Sequence, residues 1–151
     1  MAAYVDEKDR RILEVLHENS DLSIQKISKR TGIPITTVHN RIKRLKKSGI
    51  IKNYTVNLDY QKLGKHVLAF VLINVNQKSM TDSDMDQFDV LREIKKFGHV
   101  EEADLITGSN DILLKCRFNT LDELTEFVVK DLRSEKTHIS NTQTLVVLRS
   151  T

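Results

Sequence analysis

The 151-residue sequence contains one cysteine, one proline, five glycines and no tryptophan. A single cysteine, Cys116, excludes a disulfide framework and a multi-cysteine metal site. The longest apolar run, Val67–Ile73, is far shorter than the ~20 residues of a membrane-spanning helix. The charged start, MAAYVDEKDRR, lacks the apolar region of a signal peptide. We therefore expect a soluble, cytoplasmic protein with no membrane partner.

Motifs for catalysis are also missing. The sequence has no HExxH, GxSxG, Walker A or GxGxxG motif, and its five histidines lack metal-ligand spacing. Cys116 alternates with apolar residues, which favours a core position over a nucleophile. The adjacent acids Glu101 and Glu102 point to opposite faces of a predicted strand, so they are poorly placed for shared acid–base work. We expect no enzyme, no metal site and no cofactor.

Charge is distributed unevenly along the chain. Residues 1–53 contain 12 Lys/Arg and 6 Asp/Glu, whereas residues 54–151 contain 12 and 15, so the first part is basic and the second acidic. The segment Arg41–Lys52 holds six basic residues and no acid. This pattern is typical of a segment that contacts a polyanion, although a solvated charged face has the same composition.

Up to about residue 49 the apolar residues recur at helical spacing. The first predicted helix follows Asp6, which has the N-cap position with Asp9 three residues later, and ends near Asn19. The second is capped by Ser23 and ends at Gly32, a residue that readily adopts positive φ.

The third predicted helix starts near Pro34, where proline fits the first turn, and runs to about Ser48. Its apolar face is predicted to be buried and consists of Val38, Ile42 and Leu45. Arg41 lies near the edge of this face, where DNA and an acid of the first helix such as Asp9 are both possible partners. The outward face and its flanks carry side chains that can contact phosphates or base edges: Thr36, Thr37, His39, Asn40, Lys43, Arg44 and Lys47.

Two helices, a turn and a polar-faced third helix form the layout of a helix-turn-helix, whose last helix enters the major groove. Asn40 suits adenine, and Lys43 or Arg44 suits guanine or a phosphate. The remaining lysines of the segment suit phosphates: Lys46, Lys47 and Lys52. A generic three-helix bundle with a solvated basic face is the alternative.

After Gly49 the period changes to two. Ile50–Leu58 predicts a strand-like connection and residues 59–64 a linker turn. Helices are predicted over 84–97, with Met85, Phe88, Leu91 and Ile94 facing inward, and over 120–132. Strands are predicted at His66–Asn76, Val100–Thr107, Ile112–Phe118 and Thr142–Arg149. The order βαββαβ predicts a ferredoxin-like sandwich, and the whole chain is then α+β.

Two helices cover only one face of such a sheet. The other face is predicted to carry Leu68, Phe70 and Leu72 of the first strand and Leu145 and Val147 of the last. Burial of a large apolar side chain is worth ~1.5–3 kcal/mol, so we expect a homodimer in which a second copy covers this face. RNA binding is a weaker alternative, because the third strand, ILLKCRF, offers one aromatic residue for stacking on bases.

The segments ITTVHNRIKRLKKSGIIKNY and LDYQKLG resemble the recognition helix, following strand and linker of the Lrp/AsnC (feast/famine) transcription regulators. The segments TGSNDILLKCRF and NTQTLVVL are similar to the effector-binding and assembly domain of that family. The resemblance covers essentially the whole chain. It implies a winged helix-turn-helix DNA-binding domain at 1–50, a strand and linker at 51–64, and a RAM/ACT-like dimerisation and effector-binding domain at 65–151.

The resemblance also implies a site for a free amino acid at the contact between dimers, with Asp111 facing the ammonium group of the ligand. An ordinary β-turn is the alternative for this segment. Pro34 stands where family members often have a capping serine, and Ser109-Asn110 replaces an acidic-aromatic or glycine-aromatic pair. The implied effector residues are Gly108, Ser109, Asn110, Asp111 and Thr144.

We therefore expect a sequence-specific DNA-binding transcription regulator. Its expected partners are double-stranded DNA and its own copies, with dimers assembling into higher oligomers such as octamers. A stand-alone amino-acid sensor or assembly protein and a nonspecific DNA-architectural protein are the alternatives.

Overall fold

A computed structural model describes residues 5–134 and 137–149 of the chain, which divides into two compact units, Met1–Leu58 and Asp59–Thr151. The first unit contains three helices, α1 (Glu7–Glu18), α2 (Ile24–Thr31) and α3 (Ile35–Lys47). Among the described residues, no helix has the length and apolar character needed to cross a membrane.

The ends of the first two helices are fixed by the residues that the sequence predicted. The Asp6 carboxylate accepts the Asp9 N–H at 3.0 Å, and the Asp9 carboxylate accepts the Asp6 N–H at 3.1 Å. These two bonds form a capping box, which satisfies backbone donors that the helix itself leaves free. Ser23 accepts the Lys26 N–H at 3.3 Å, and Gly32, with φ of 67°, ends α2.

The apolar faces of the three helices meet in one small core. The predicted inward face of α3 is confirmed, since Val38, Ile42 and Leu45 are all buried. The connected cluster in this unit comprises Ile12, Leu16, Ile27, Ile33, Val38 and Ile42.

The strand-like connection predicted at Ile50–Leu58 does not form a strand, because residues 52–59 have no regular secondary structure. An extended segment makes a strand only when a neighbouring strand takes up its N–H and C=O groups, and alternating polarity alone does not supply that neighbour. Several of its apolar side chains are left in solvent: Tyr54, Val56 and Leu58.

The second unit contains four antiparallel strands in the order β2-β3-β1-β4, which confirms the predicted ferredoxin-like sandwich. The strands are β1 (Val67–Val75), β2 (Val100–Leu105), β3 (Ile112–Phe118) and β4 (Ile139–Val146). Helices α4 (Gln77–Asp82) and α5 (Gln87–Lys95) connect β1 to β2. Helix α6 (Leu121–Glu126) follows β3 and continues as a π-helical turn over Phe127–Asp131.

The strand register defines a covered and a bare face of this sheet. Directly opposed residues of antiparallel strands share a face, and Val71 is opposed by Leu114 on one side and Thr144 on the other. The covered face packs under the helices and is fully apolar in its centre; it includes Ala69, Val71, Ile73, Ile112, Leu114, Cys116 and Phe118. The predicted core position of Cys116 is confirmed, and burial raises the pKa of its thiol to about 12. The bare face carries the half-buried Leu68, Phe70 and Leu72.

The predicted helix over 84–97 is wrong in its start and in part of its inward face. Asp86 caps α5, so the helix begins at Gln87, and Val90 and Ile94 face the core. Phe88 lies two residues before Val90, about 200° away around the helix, and is 58% exposed. The separate short helix α4, capped by Asn76, was not predicted.

The last strand is displaced toward the N-terminus from its predicted range, Thr142–Arg149. Val75 of β1 is opposite Ile139, and Ala69 of β1 is opposite Val146. The ends of β4 are therefore set by where β1 begins and ends. Leu148 lies beyond the last pair and is 98% exposed.

Candidate nucleic-acid interface and effector turn

Helix α3 carries all seven of the predicted DNA-contacting side chains on the sides that face away from its buried residues. Thr37 is half-buried, and the other six are exposed: Thr36, His39, Asn40, Lys43, Arg44 and Lys47. The arrangement follows from the helical period, because residues three and four apart lie on the same side of a helix. Val38, Ile42 and Leu45 occupy the buried side, so the polar residues lie on the others. The result is a single polar and basic surface on a rigid element.

A buried carboxylate of α1 holds two arginines of this helix. Asp9 is fully buried and accepts a bond from Arg41 Nη1 at 3.0 Å and another from Arg44 Nη2. Arg41 Nη1 also lies 2.5 Å from Asp6 Oδ2. Of the two partners possible for Arg41, the structure therefore selects the acids of α1.

The same contacts shift the titration of the groups involved. The hydrogen bond from Arg41, followed by the one from the Asp9 backbone amide, lowers the pKa of Asp6 from 3.8 to about 2. The hydrogen bonds to Asp6 and Asp9 raise the pKa of Arg41 above its ordinary value. Arg41 is thus an internal cation that ties α3 to α1.

Arg44 has a different environment from Arg41. Its side chain is 51% exposed, whereas that of Arg41 is 22% exposed. A guanidinium has five N–H donors in a rigid plane, so the one bond to Asp9 orients Arg44 and leaves other donors for a further partner. The sequence placed Arg44 among the predicted DNA contacts but did not indicate this anchor.

The lysines that follow on α3 also differ from one another. Lys46 Nζ lies 4.5 Å above the ring of Tyr54, a cation–π contact that holds it against the segment after the helix. Lys43 and Lys47 are exposed, as is Lys52. Lys43, Lys47 and Lys52 are therefore better placed than Lys46 to contact a phosphate.

Two further residues belong to this surface and were missed in the sequence. Gln25 and Ile35 line a groove between the start of α2 and the first turn of α3, together with Thr36, His39 and Asn40. Ile35 precedes His39 by four residues and so shares its flank, a signal that was present in the spacing. Nothing in the spacing indicated Gln25, because its position depends on how α2 packs against α3.

The predicted effector residues Ser109, Asn110 and Asp111 lie together in the turn before β3, and the end of β1 holds that turn in place. Asn74 Nδ2 donates to the Ser109 carbonyl at 2.7 Å, and Asn110 Nδ2 donates to Asn74 Oδ1 at 2.8 Å. Asp111 Oδ2 accepts the Val75 N–H at 2.9 Å. One carboxylate oxygen of Asp111 is thus used to close the turn, as an ordinary structural role requires.

The other two predicted effector residues have separate positions. Gly108, with φ of 124°, belongs to the same turn and adopts a conformation that favours glycine. Thr144 is opposed by Val71 and therefore lies on the covered face. Asn74, which bonds the turn, is three residues after Val71 on β1 and therefore lies on the bare face. The structure of a single chain therefore does not bring Thr144 together with the turn.

Comparison with known proteins gives matches to both units. The winged helix-turn-helix DNA-binding family matches residues 5–52, and the Lrp/AsnC ligand binding domain matches residues 68–151. An uncharacterized HTH-type transcriptional regulator of Pyrococcus furiosus is 40% identical over 146 residues, which are 97% of this chain and 94% of that protein. The HTH-type transcriptional regulator FL11 of the same organism is 32% identical over 149 residues, 99% of this chain and 93% of FL11.

Solved structures agree with these sequence matches. E. coli AsnC superposes with a TM-score of 0.82 at 26% identity, over 98% of this chain and 95% of that one. A transcriptional regulator of Neisseria meningitidis in complex with L-Met superposes with a TM-score of 0.86 at 24% identity, over 97% and 91%. The fold is thus shared over nearly the full length of each chain.

Proposed function

Because the chain belongs to the Lrp/AsnC family of DNA-binding transcriptional regulators, as its motifs predicted, we propose that it reads a specific operator by placing α3 in the major groove. The observation that carries this proposal is the exposed polar and basic side of α3. The contact surface consists of Thr36, Thr37, His39, Asn40, Lys43, Arg44 and Lys47.

Each chemical type on this surface has its own role. Asn40 is exposed near the middle of α3 and has the amide geometry that pairs with adenine. Lys43 and Lys47 neutralise phosphates, which positions the helix but carries no sequence information. Arg44, oriented by Asp9, is directed to a guanine edge or a phosphate.

The second recognition helix comes from a second copy of the chain. The bare face of the sheet carries Leu68, Phe70 and Leu72 on a central strand, where large apolar side chains are normally covered. Leu145 is opposed by Phe70, shares this face and is 46% exposed. A symmetric dimer that packs two such faces together covers all four side chains at once.

The turn Gly108–Asp111 is proposed as the place where a free amino acid is bound between dimers, which then associate into higher oligomers. It lies within the region that matches the Lrp/AsnC ligand binding domain, and the Neisseria meningitidis relative was solved with L-Met. Asp111 has a second carboxylate oxygen beyond the one that accepts from Val75, and it suits an ammonium group. Effector binding would change the assembly and thereby the affinity for the operator.

The proposal of specific DNA binding is tested by selecting bound duplexes from a random pool and measuring the affinity of the selected duplex at two salt concentrations. Lys43→Ala should weaken binding to every duplex and reduce the salt slope by about 1, because one phosphate contact is lost. Asn40→Ala should instead relax the preference at one base position by about 1–3 kcal/mol. Lys78→Ala, an exposed lysine of the second unit, is the control.

The outcomes of this experiment separate three functions. Equal affinity for selected and random duplex would indicate a nonspecific architectural protein. The absence of salt-dependent binding to any duplex would indicate a sensor or assembly protein whose basic helix does not contact DNA.

The dimer is tested by Phe70→Asp, which places a charge on the bare face. Burial of a phenylalanine contributes about 1.5–3 kcal/mol on each side of the symmetric contact, so the dissociation constant of the dimer should rise by more than about 100-fold. Sedimentation velocity over a concentration series measures this change. Val129→Asp, at a residue 56% exposed after α6, is the matched control and should leave the dimer intact. A Phe70→Asp protein that sediments like the unmutated one would contradict the proposed contact.

Effector binding is tested by adding saturating amino acids one by one and measuring assembly size and operator affinity. Asp111→Asn retains an oxygen that can accept from Val75 but removes the charge, so it should abolish any response without opening the turn. If no amino acid changes either quantity, the turn is a structural element only.

A further inference from the structure

The groove between α2 and α3 has a volume of about 500 Å³ and is lined by two aliphatic side chains, called its floor, and by four polar ones, called its rim. Ile24, the first residue of α2, is half-buried, and Ile35, the first residue of α3, is 50% exposed. The rim consists of Gln25, Thr36, His39 and Asn40, all of which are exposed.

Ile35 is an exception among the apolar residues of α3. Val38, Ile42 and Leu45 are buried in the core, whereas Ile35 leaves half of its surface in water beside Ile24. A single exposed aliphatic side chain is ordinary on a protein surface. Ile24 and Ile35 line one groove with side chains that can hydrogen-bond bases, at the N-terminal end of α3, which is the end that meets base edges in a helix-turn-helix.

The chemistry of the major groove restricts what such a floor can contact there. Thymine is the base that presents a methyl group in the major groove, and aliphatic side chains read it by apolar contact. The lining residues include no acid, and Lys43 lies one turn beyond His39 on the same helix, so the surroundings favour a polyanion.

We propose that Ile24 and Ile35 form a subsite for the C5 methyl group of a thymine in the operator, so that Ile35 is a specificity-determining residue. This proposal rests on the proposed function, since it requires α3 in the major groove. Gln25 lies on the rim next to the subsite, where its amide can pair with an adenine beside that thymine.

The test removes the methyl group and nothing else. In the duplex obtained by selection, each thymine is replaced in turn by deoxyuridine in every half-site, and the affinity of the unmutated protein is measured. At one position the replacement should weaken binding about fourfold per half-site, the factor that corresponds to losing the burial of one methyl group. At thymines outside the subsite it should have no effect.

The variants assign the effect to the groove. With Ile35→Ala the thymine and deoxyuridine duplexes should bind equally at that position, and Ile35→Val should retain part of the preference. Val129→Ala, an exposed aliphatic residue of the second unit, should keep the full preference. Circular dichroism of Ile35→Ala at the assay temperature verifies that α3 remains folded, as expected for a residue already half in solvent.

Failure of this inference is distinguishable from failure of the proposed function. One contrary result is a selected sequence in which deoxyuridine replaces every thymine without loss of affinity, and another is a fourfold effect that persists in Ile35→Ala. Either result would show that the thymine subsite is wrong, while specific DNA binding would remain supported. If selection enriches no sequence, specific recognition and the subsite are both overturned.

Discussion

The helical unit and the sheet unit are stabilised in different ways. Among the described residues, six buried apolar side chains form the core cluster of the first unit, and fifteen form that of the second. A small domain buries a smaller fraction of its surface and gains less from a core. The first unit adds a fully buried carboxylate, Asp9, which is bonded to two arginines of another helix.

The sheet unit has ion pairs between its neighbouring strands β2 and β3. Arg117 Nε lies 2.6 Å from Glu101 Oε1, with side chains 15% and 19% exposed, and Lys115 Nζ lies 2.8 Å from Glu102 Oε1, with side chains 30% and 61% exposed. The ring of Tyr60 lies against the Arg117 guanidinium, with its centroid 3.7 Å away. Ionic contacts in the first unit therefore fix the packing of helices, whereas those of the second lie beside a core that is already apolar.

The surface of α3 that we propose for DNA binding thus depends on a buried residue of another helix. Asp9 organises Arg41 and Arg44 from the buried side of α3, so the orientation of a predicted DNA contact depends on an acid of another helix. The sheet unit has an apolar core and an apolar bare face, which suits assembly. Three substitutions test whether the two units are stabilised in these different ways.

Phe118→Ala should have the largest effect, because it removes a ring from the centre of the larger core. Phe118 is 1% exposed and lies 5.4 Å, between ring centroids, from Phe127. Truncation of a buried phenylalanine costs about 3–5 kcal/mol in the free energy of unfolding. Denaturant unfolding followed by circular dichroism measures the loss.

Phe88→Ala is the matched control, since Phe88 is 58% exposed, and should cost less than about 1 kcal/mol. Equal losses for the two variants would contradict the assigned core.

Asp9→Asn should have an intermediate effect on the first unit. It replaces a buried carboxylate that accepts bonds from two guanidiniums by a neutral amide of the same shape. Hydrogen bonds to charged groups contribute about 1.5–3 kcal/mol, and the partial exposure of both arginines places the expected loss at the lower end of that range. Glu7→Gln, an exposed acid one residue after the cap of the same helix, is the control. Identical unfolding curves for the two variants would show that the arginines do not depend on Asp9.

Local features of both units were predictable from the sequence, because they depend on residues a few positions apart. The cap at Asp6, the end of α2 at Gly32 and the buried face of α3 all follow from spacing within one helix. The alternation along β1 likewise predicted which of its side chains face the core. The change of period after Gly49 also predicted the order of the four strands and of the two helices that cover them.

Features that depend on distant residues were not predictable in this way. Arg44 contacts an acid 35 positions earlier, which requires the packing of α3 on α1. The position of Thr144 depends on the register of β4 against β1, and a shift of one residue would reverse its face. Phe88 fits a helical period, but the packing of α5 on the sheet buries Val90 and Ile94, and this packing depends on residues far away in the sequence.

Asp6→Asn should have the smallest effect, and its pH dependence identifies the cause. Asparagine is also a good N-cap, so the substitution removes the charge that pairs with Arg41 and retains the cap. The pKa of Asp6 is lowered from 3.8 to about 2 in the folded protein, so its ionisation stabilises the fold above pH 4, and this contribution is lost as the pH falls through 2. The unmutated protein should therefore have the higher melting temperature at pH 7, and the difference from Asp6→Asn should vanish between pH 4 and pH 2. Asp21→Asn, at an exposed acid of the same unit that makes no ion pair among the described residues, is the control. A difference that persists unchanged at pH 2 would mean that the Asp6 carboxylate acts through its shape and not through its charge.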